Sequence, residues 1–167
     1  PQEADDLAMQ RTEVEQAYWL ATGQWLHHTL RVSPDEGMAI FTQLFEEATD
    51  AYRFAVRDGF IRQVDFVRHQ LTPQQQYELD IRRVKDMLDS GEYQDGKTLL
   101  LKMLDRAADL TPSQRVDMYI QFGNLEIRLG DFRSGLDHFT RAVAISREHG
   151  LKRDLMFALN ALGWGQR

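Results

Sequence analysis

The segment Leu71-Thr72-Pro73-Gln74-Gln75 recurs as Leu110-Thr111-Pro112-Ser113-Gln114, and this repetition decides the fold. A second marker, Gly91-Glu92-Tyr93, recurs as Gly130-Asp131-Phe132. The offset from Thr72 to Thr111 is the same as the offset from Gly91 to Gly130. Because self-similarity at a fixed period of about 20 to 50 residues is typical of repeat architectures, the sequence predicts two copies of one structural unit.

Each marker has a physical meaning in the predicted unit. Thr-Pro-x-Gln supplies a helix N-cap, a proline at the first helical position and a partner for a capping box, so it starts a helix. The glycine of the second marker ends that helix. Apolar residues at spacings of three and four continue on both sides of the glycine, which predicts two amphipathic helices per unit. The apolar residues of the first helix are Tyr77, Ile81, Val84, Met87 and Leu88 in one unit and Val116, Tyr119, Ile120 and Ile127 in the other.

The second unit also carries a family pattern, which reads Tyr119-x-x-Phe122-Gly123 and then Gly135-x-x-x-Phe139-x-x-Ala142. This pattern resembles the tetratricopeptide repeat. The resemblance implies an all-α chain in which helical hairpins stack into an α-α superhelix, with the small residues letting paired helices approach. The period, about 40 residues, is similar to that of the long repeats in the arms of bacterial signal-transduction ATPases and transcription regulators.

The predicted repeats occupy residues 72–110 and 111–150. A partial third repeat covers 151–167, because the spacing from Gly123 to Gly163 continues the repeat period. The remaining part, 1–71, is expected to form irregular helices that pack on the repeats.

Capping and breaking residues predict the helices of the first part of the chain. One helix is expected over Asp5–Thr22, followed by a turn at Gly23-Gln24-Trp25 that resembles the later glycine turns. A second helix is expected to start at Pro34 and to break at Gly59, with a shorter helix after the break. Strand-like alternation is absent from the sequence, so we expect about eight helices in all.

Composition narrows the function classes. The chain has 167 residues and a net charge of −6, and the acidic excess lies within residues 1–70, which argues against nucleic-acid binding. It has no cysteine, which excludes disulfides, thiol nucleophiles and cysteine-ligated metals. It also lacks an apolar run of membrane-spanning length and a basic start, so we expect a soluble, cytoplasmic protein without a membrane partner. Since Met is not the first residue, we expect a fragment or a processed product.

Two patterns could indicate a nucleotide site or a metal site, but the neighbouring residues do not support either. Residues 91–98 match the phosphate-binding loop G-x-x-x-x-G-K-[ST], but the preceding residues have helical rather than strand periodicity. His27 and His28 are adjacent, so on a helix they point in different directions and do not chelate one ion. We therefore expect no enzyme, no metal and no cofactor, with nucleotide binding at 91–98 as a remote alternative.

The resemblance places a binding groove on the first helix of each hairpin. Its side chains would be Glu78, Arg82 and Lys85 in one unit and Gln121, Asn124 and Arg128 in the next. The expected function is a protein- or peptide-binding scaffold, as the sensor or oligomerisation arm of a larger regulatory protein.

Two further hypotheses concern the ends of the chain. An unfinished repeat leaves an apolar end, so we expect the chain to self-associate as a homo-oligomer through Ala161, Leu162 and Trp164. The alternative function is a small-molecule or signal-peptide receptor. Its pocket would lie between the N-terminal helices and the repeats, lined by Tyr18, His27 and His28.

Overall fold

The fold is all-α in a computed structural model that describes the backbone of residues 2–165 and the side chains of 9–106 and 108–165. No strand occurs within these described residues, so the predicted fold class is confirmed. The α-helices are α1 (Gln2–Val32), α2 (Pro34–Asp50), α3 (Phe54–Phe66), α4 (Pro73–Ser90), α5 (Tyr93–Leu104), α6 (Pro112–Arg128), α7 (Phe132–Glu148) and α8 (Lys152–Gly165). Two short 3₁₀ helices occupy Arg68–Gln70 and Ala107–Asp109. In the part of the chain that is described, none of the helices combines the length and the apolar character that crossing a bilayer requires.

The chain divides into two compact units, Pro1–Leu79 and Asp80–Arg167. The division falls inside α4, whereas the sequence repeat begins at Thr72. In the first unit, α1, α2 and α3 each pack against the other two. The core of the first unit includes the buried side chains of Leu26, Leu30, Phe41, Phe45, Phe60 and Val64.

The predicted turn at Gly23-Gln24-Trp25 is wrong, because α1 continues through it without a break. Gly23 does not have the positive φ that ends a helix, and a Cβ built on it would lie 3.8 Å from the Phe60 ring. Gly23 is buried against α3, and Trp25 is exposed. Since a glycine inside a helix costs only about 1 kcal/mol relative to alanine, packing against α3 is sufficient to keep the helix continuous.

The predicted break at Gly59 is also wrong, because the chain reverses at residues 51–53 and Gly59 lies inside α3. The reversal is made by Tyr52, which has a φ of 57° and is the only non-glycine residue with a positive φ in the described backbone. The Arg53 N–H donates to the Ala48 carbonyl at 2.8 Å and closes the turn. This early reversal lets the Arg57 guanidinium, in a side chain that is 1% exposed, lie 5.2 Å from the centre of the Phe45 ring.

The predicted helix starts are confirmed in atomic detail. At the start of α6, the Thr111 N–H donates to Gln114 Oε1 at 2.8 Å, and the Gln114 N–H donates to Thr111 Oγ1 at 3.3 Å. At the start of α4, Thr72 and Gln75 make the same two hydrogen bonds at 2.9 and 3.3 Å. These reciprocal bonds satisfy backbone groups that an uncapped helix leaves without partners.

The predicted helix ends are confirmed as well. Gly91 and Gly130 have φ values of +84° and +86°, the left-handed conformation that glycine adopts at low cost. Beyond Gly130, the Asp131 N–H donates to the Glu126 carbonyl at 2.9 Å. The matching bond beyond Gly91 joins Glu92 N–H to the Met87 carbonyl at 2.8 Å. The two predicted repeats, 72–110 and 111–150, therefore end their first helices in the same way.

Close approach of α6 and α7 depends on the small residues of the repeat pattern. A Cβ built on Gly123 would lie 2.3 Å from Phe139 Cε1, and one built on Gly135 would lie 3.0 Å from the Gly123 carbonyl oxygen. Ala142 is completely buried, and α8 packs against both α6 and α7. The α6–α7 hairpin is therefore confirmed, whereas the superhelical stacking of hairpins stays a prediction.

Candidate partner-binding cleft

A cleft of about 410 Å³ lies within the second unit, where α4, α6 and α8 contribute side chains to one surface. These three are the first helices of the two predicted hairpins and of the partial third one. The residues that line the cleft are Lys85 from α4; Ser113, Val116, Asp117, Ile120 and Gln121 from α6; and Arg153, Asp154 and Phe157 from α8.

The cleft combines an apolar base with charges of both signs. Val116 is buried, Ile120 is half-buried, and Phe157 is 48% exposed, so an aromatic surface is open to a partner. The Arg153 guanidinium lies 5.8 Å from the centre of the Phe157 ring, a cation–π distance. Because a partner would need both an apolar group and polar groups to fill such a surface, the cleft is chemically suited to a peptide.

A hydrogen bond holds one of the carboxylates of the cleft. Gln121 Nε2 donates to Asp117 Oδ1 at 3.2 Å, one helical turn away on α6. The Gln121 side chain is buried, with 6% of the residue exposed. Its amide therefore orients Asp117, and Asp117 rather than Gln121 is placed to meet a partner.

The structure brings together two of the six side chains that the sequence predicted for the groove. Lys85 and Gln121 both line the cleft. The lining does not include Arg82, which is half-buried, or Asn124 and Arg128, which are exposed on α6. The remaining residue, Glu78, belongs to the first unit.

Sequence reasoning missed the contribution of α8. The offset from Asp117 to Phe157, and from Ser113 to Arg153, equals the offset that relates Gly123 to Gly163. Applying that offset to the predicted groove helix α6 would have found both side chains.

The glycine-rich segment 91–98 forms a helix end and a helix start. It is preceded by α4, not by a strand, and Gly96 lies inside α5 with its Cβ position 3.1 Å from Leu125 Cδ1. The Lys97 ammonium donates to Glu126 Oε1 at 2.8 Å, and the Glu126 side chain is 8% exposed. The lysine of the match therefore neutralises a buried carboxylate, as part of the packing of α5 on α6.

The three residues of the alternative receptor hypothesis, Tyr18, His27 and His28, do not line one common pocket. His27 and His28 line a cavity formed by α1 and α3, whereas Tyr18 lines a separate hollow. The Tyr18 hydroxyl donates to Glu47 Oε2 at 2.7 Å, which raises the pKa of Tyr18 and lowers the pKa of Glu47. Among the described residues, no three His, Asp or Glu side chains converge in a way that could hold a metal ion.

The residues predicted for self-association differ in exposure. Trp164 is 68% exposed, Ala161 is half-buried, and Leu162 packs against the core formed around Ala142, Val143 and Ala158. Met156 and Leu159 are also exposed on α8. The apolar surface of α8 thus includes Trp164 but extends along the helix, and self-association through it stays a prediction.

The chain was compared with family models, curated proteins and solved structures. No family model, no curated protein and no solved structure matches the chain. The resemblance to the tetratricopeptide repeat therefore depends on the residues of the pattern alone.

Proposed function

We propose that the chain is a protein- or peptide-binding module that catalyses no reaction. The observation that carries this proposal is the cleft of the second unit, where three helices present an apolar base beside two cations and two carboxylates. The partner best suited to it is an extended or helical peptide with an apolar side chain between an acidic and a basic one.

Apolar and charged residues of the cleft would contribute differently to binding. An apolar side chain of the partner that packs on Phe157 and Ile120 would supply affinity, since burying one such side chain contributes about 1.5 to 3 kcal/mol. Lys85, Asp117 and Arg153 at the rim would contribute orientation and selectivity more than affinity, because exposed ion pairs contribute about 0 to 1 kcal/mol each.

The larger setting of this module is part of the same proposal. The repeat length of about 40 residues resembles that of the arms of bacterial signal-transduction ATPases and transcription regulators, and on this resemblance the setting would be a cytoplasmic regulatory protein whose arm senses a signal or assembles subunits. The peptide-binding cleft would then recruit the partner, and the chemistry of regulation would lie in another protein or domain.

A displayed library of random peptides tests the proposal. Peptides selected on the immobilised chain are labelled, and their affinities are measured by fluorescence anisotropy for the wild type and for Phe157→Ala. We expect Phe157→Ala to weaken binding about tenfold or more, the effect of losing an apolar anchor.

The matched control is Phe132→Ala in the same unit, because Phe132 is similarly exposed but lies outside the cleft. This variant is expected to bind the selected peptides as the wild type does. Equal loss in both variants, or no loss in either, would contradict the proposal.

A further inference from the structure

A second surface, independent of the partner-binding cleft, lies wholly within the first unit. It is a cavity of about 570 Å³ between α1 and α3. Its walls include the rings of Trp19 and Phe60, whose centres are 6.3 Å apart with a tilt of 56° between the planes. A cavity of this volume falls within the range of about 300 to 1,000 Å³ that is typical of small-molecule sites.

Each of the two facing helices contributes a glycine to the cavity walls. Gly23 of α1 and Gly59 of α3 both line the cavity, and both lie inside helices, where glycine is the least favourable residue apart from proline. No atom lies within 4 Å of the position that a Cβ on Gly59 would occupy. A side chain at position 59 would therefore project into open space at the cavity wall.

The lining contains no acidic side chain, no lysine and no arginine, although the chain as a whole is 28% charged. The polar side chains are those of Gln24, His27, His28 and Gln63. Because an ion placed in such a site would lose hydration without gaining a counter-charge, a neutral ligand is favoured.

One buried polar atom of the walls, Gln63 Oε1, has no hydrogen-bond partner among the residues that the structure describes. A buried acceptor without a donor costs free energy, and such atoms call for a specific explanation. Gln63 lines the cavity, and because its oxygen is buried, a ligand donor would reach it only after rotation about the terminal torsion, which is broad for glutamine.

We propose that the cavity between α1 and α3 binds a small, neutral, planar aromatic molecule that carries an N–H or O–H group. The ring of the ligand packs beside Trp19 and Phe60, and its donor bonds to Gln63 Oε1. The site lies wholly within the first unit, so it is tested separately from the peptide-binding cleft.

Indole is a suitable probe, because it is neutral and planar and has one N–H group. Its binding is followed by the NMR shifts of the ¹⁵N-labelled chain, including the Trp19 Nε1–H signal. We expect a dissociation constant of about 1 mM or lower, as is usual for a ligand of this size. 1-Methylindole, which lacks the donor, is expected to bind about fivefold more weakly.

Three variants make the test specific. Gly59→Leu fills the cavity and is expected to abolish indole binding, whereas Gly163→Leu, a helical glycine with an equally open Cβ position in the other unit, is expected to leave it unchanged. Gln63→Leu is expected to remove the preference for indole over 1-methylindole. Circular dichroism confirms that each variant is folded.

Several results would overturn the proposal. They are an absence of indole binding up to about 10 mM, unchanged binding in Gly59→Leu, and equal binding of the two probes by the wild type. Sedimentation adds a fourth: a wild-type dimer that Gly59→Leu converts to monomer would assign the cavity to a second copy of the chain.

Discussion

The substitution Gly123→Ala tests the packing of the α6–α7 hairpin. The added methyl carbon would lie 2.3 Å from Phe139 Cε1, 2.5 Å from Cδ1 and 2.8 Å from Cζ. Carbon atoms in a packed core are separated by about 3.5 to 4.0 Å, so the ring or the helix must move by about 1 Å. Phe139 is 1% exposed, and its surroundings leave the ring little room to turn away.

Two opposing effects set the size of the change. Overpacking a close-packed site typically costs about 1 to 3 kcal/mol, and a contact this short belongs at the upper end of that range. Alanine gains about 1 kcal/mol over glycine inside a helix. The net expectation is a loss of about 2 kcal/mol in the free energy of unfolding, which lowers the melting temperature by about 4 to 8 °C in a chain of this size.

Urea unfolding followed by circular dichroism measures the loss. The control is Gly163→Ala in the same unit, because no atom lies within 4 Å of its Cβ position. This variant is expected to be neutral or up to about 1 kcal/mol more stable. If Gly123→Ala is as stable as Gly163→Ala, the close approach of α6 and α7 is refuted.

Three further predictions concern the second unit. Lys97→Met is expected to lower the free energy of unfolding, measured by urea unfolding, by about 2 kcal/mol, because it leaves the buried Glu126 carboxylate without its ion-pair partner. The loss is smaller than for a fully buried ion pair because the lysine is partly exposed. Thr111→Ala is expected to cost about 1 kcal/mol, measured in the same way, because the N-cap hydrogen bond of α6 is lost. His138 is expected to make stability depend on pH, since its burial and then the nearby Arg141 lower its pKa. The folded state therefore disfavours the protonated ring, so stability present at higher pH is lost as the pH falls below about 6.5, the ordinary histidine value. Urea midpoints at pH 7.5 and 5.5 should differ less in His138→Phe than in the wild type.

Each of these predictions has a control within the chain. The double variant Lys97→Met/Glu126→Gln should recover part of the loss, and no recovery would contradict the role of the ion pair. Thr111→Ser keeps the capping oxygen and should retain most of the stability, so a loss equal to that of Thr111→Ala would argue against the cap. An identical pH dependence in the wild type and His138→Phe would show that other groups cause it.

The features that could be predicted from the sequence are local ones. Thr111 and Gln114 cap α6 through atoms only three residues apart, so the pattern itself contains the geometry. Gly130 ends α6 for the same reason, because the left-handed turn involves only its immediate neighbours. A second copy of both signals at a constant offset removed the ambiguity that a single motif would have had.

The features that could not be predicted depend on tertiary packing. Glycine favours helix ends but also occurs inside helices at a modest cost, and contacts with α3 accompany the position of Gly23 inside α1. Tyr52 gives no sign in the sequence that it adopts a positive φ, which is rare for a bulky residue. The burial of Arg57 behind that turn follows from the same reversal.

The cleft was predictable in part. Lys85 and Gln121 were identified from the resemblance to the tetratricopeptide repeat, and both line the cleft. Whether a side chain on the right face reaches the cleft depends on the neighbouring helix, which is why Asn124 and Arg128 lie outside it. Phe157 lies on α8, and its place in the cleft depends on the packing of α8 against α6.

The most direct test of peptide binding by the second unit is a cross-linking measurement. A peptide selected on the wild-type chain is synthesised with a benzophenone in place of its apolar anchor, irradiated with the chain, and the attached residues are identified by mass spectrometry. The account predicts cross-links to Val116, Ile120 and Phe157, which form the base of the cleft. Cross-links confined to α5 and α7, or to the first unit, would contradict it.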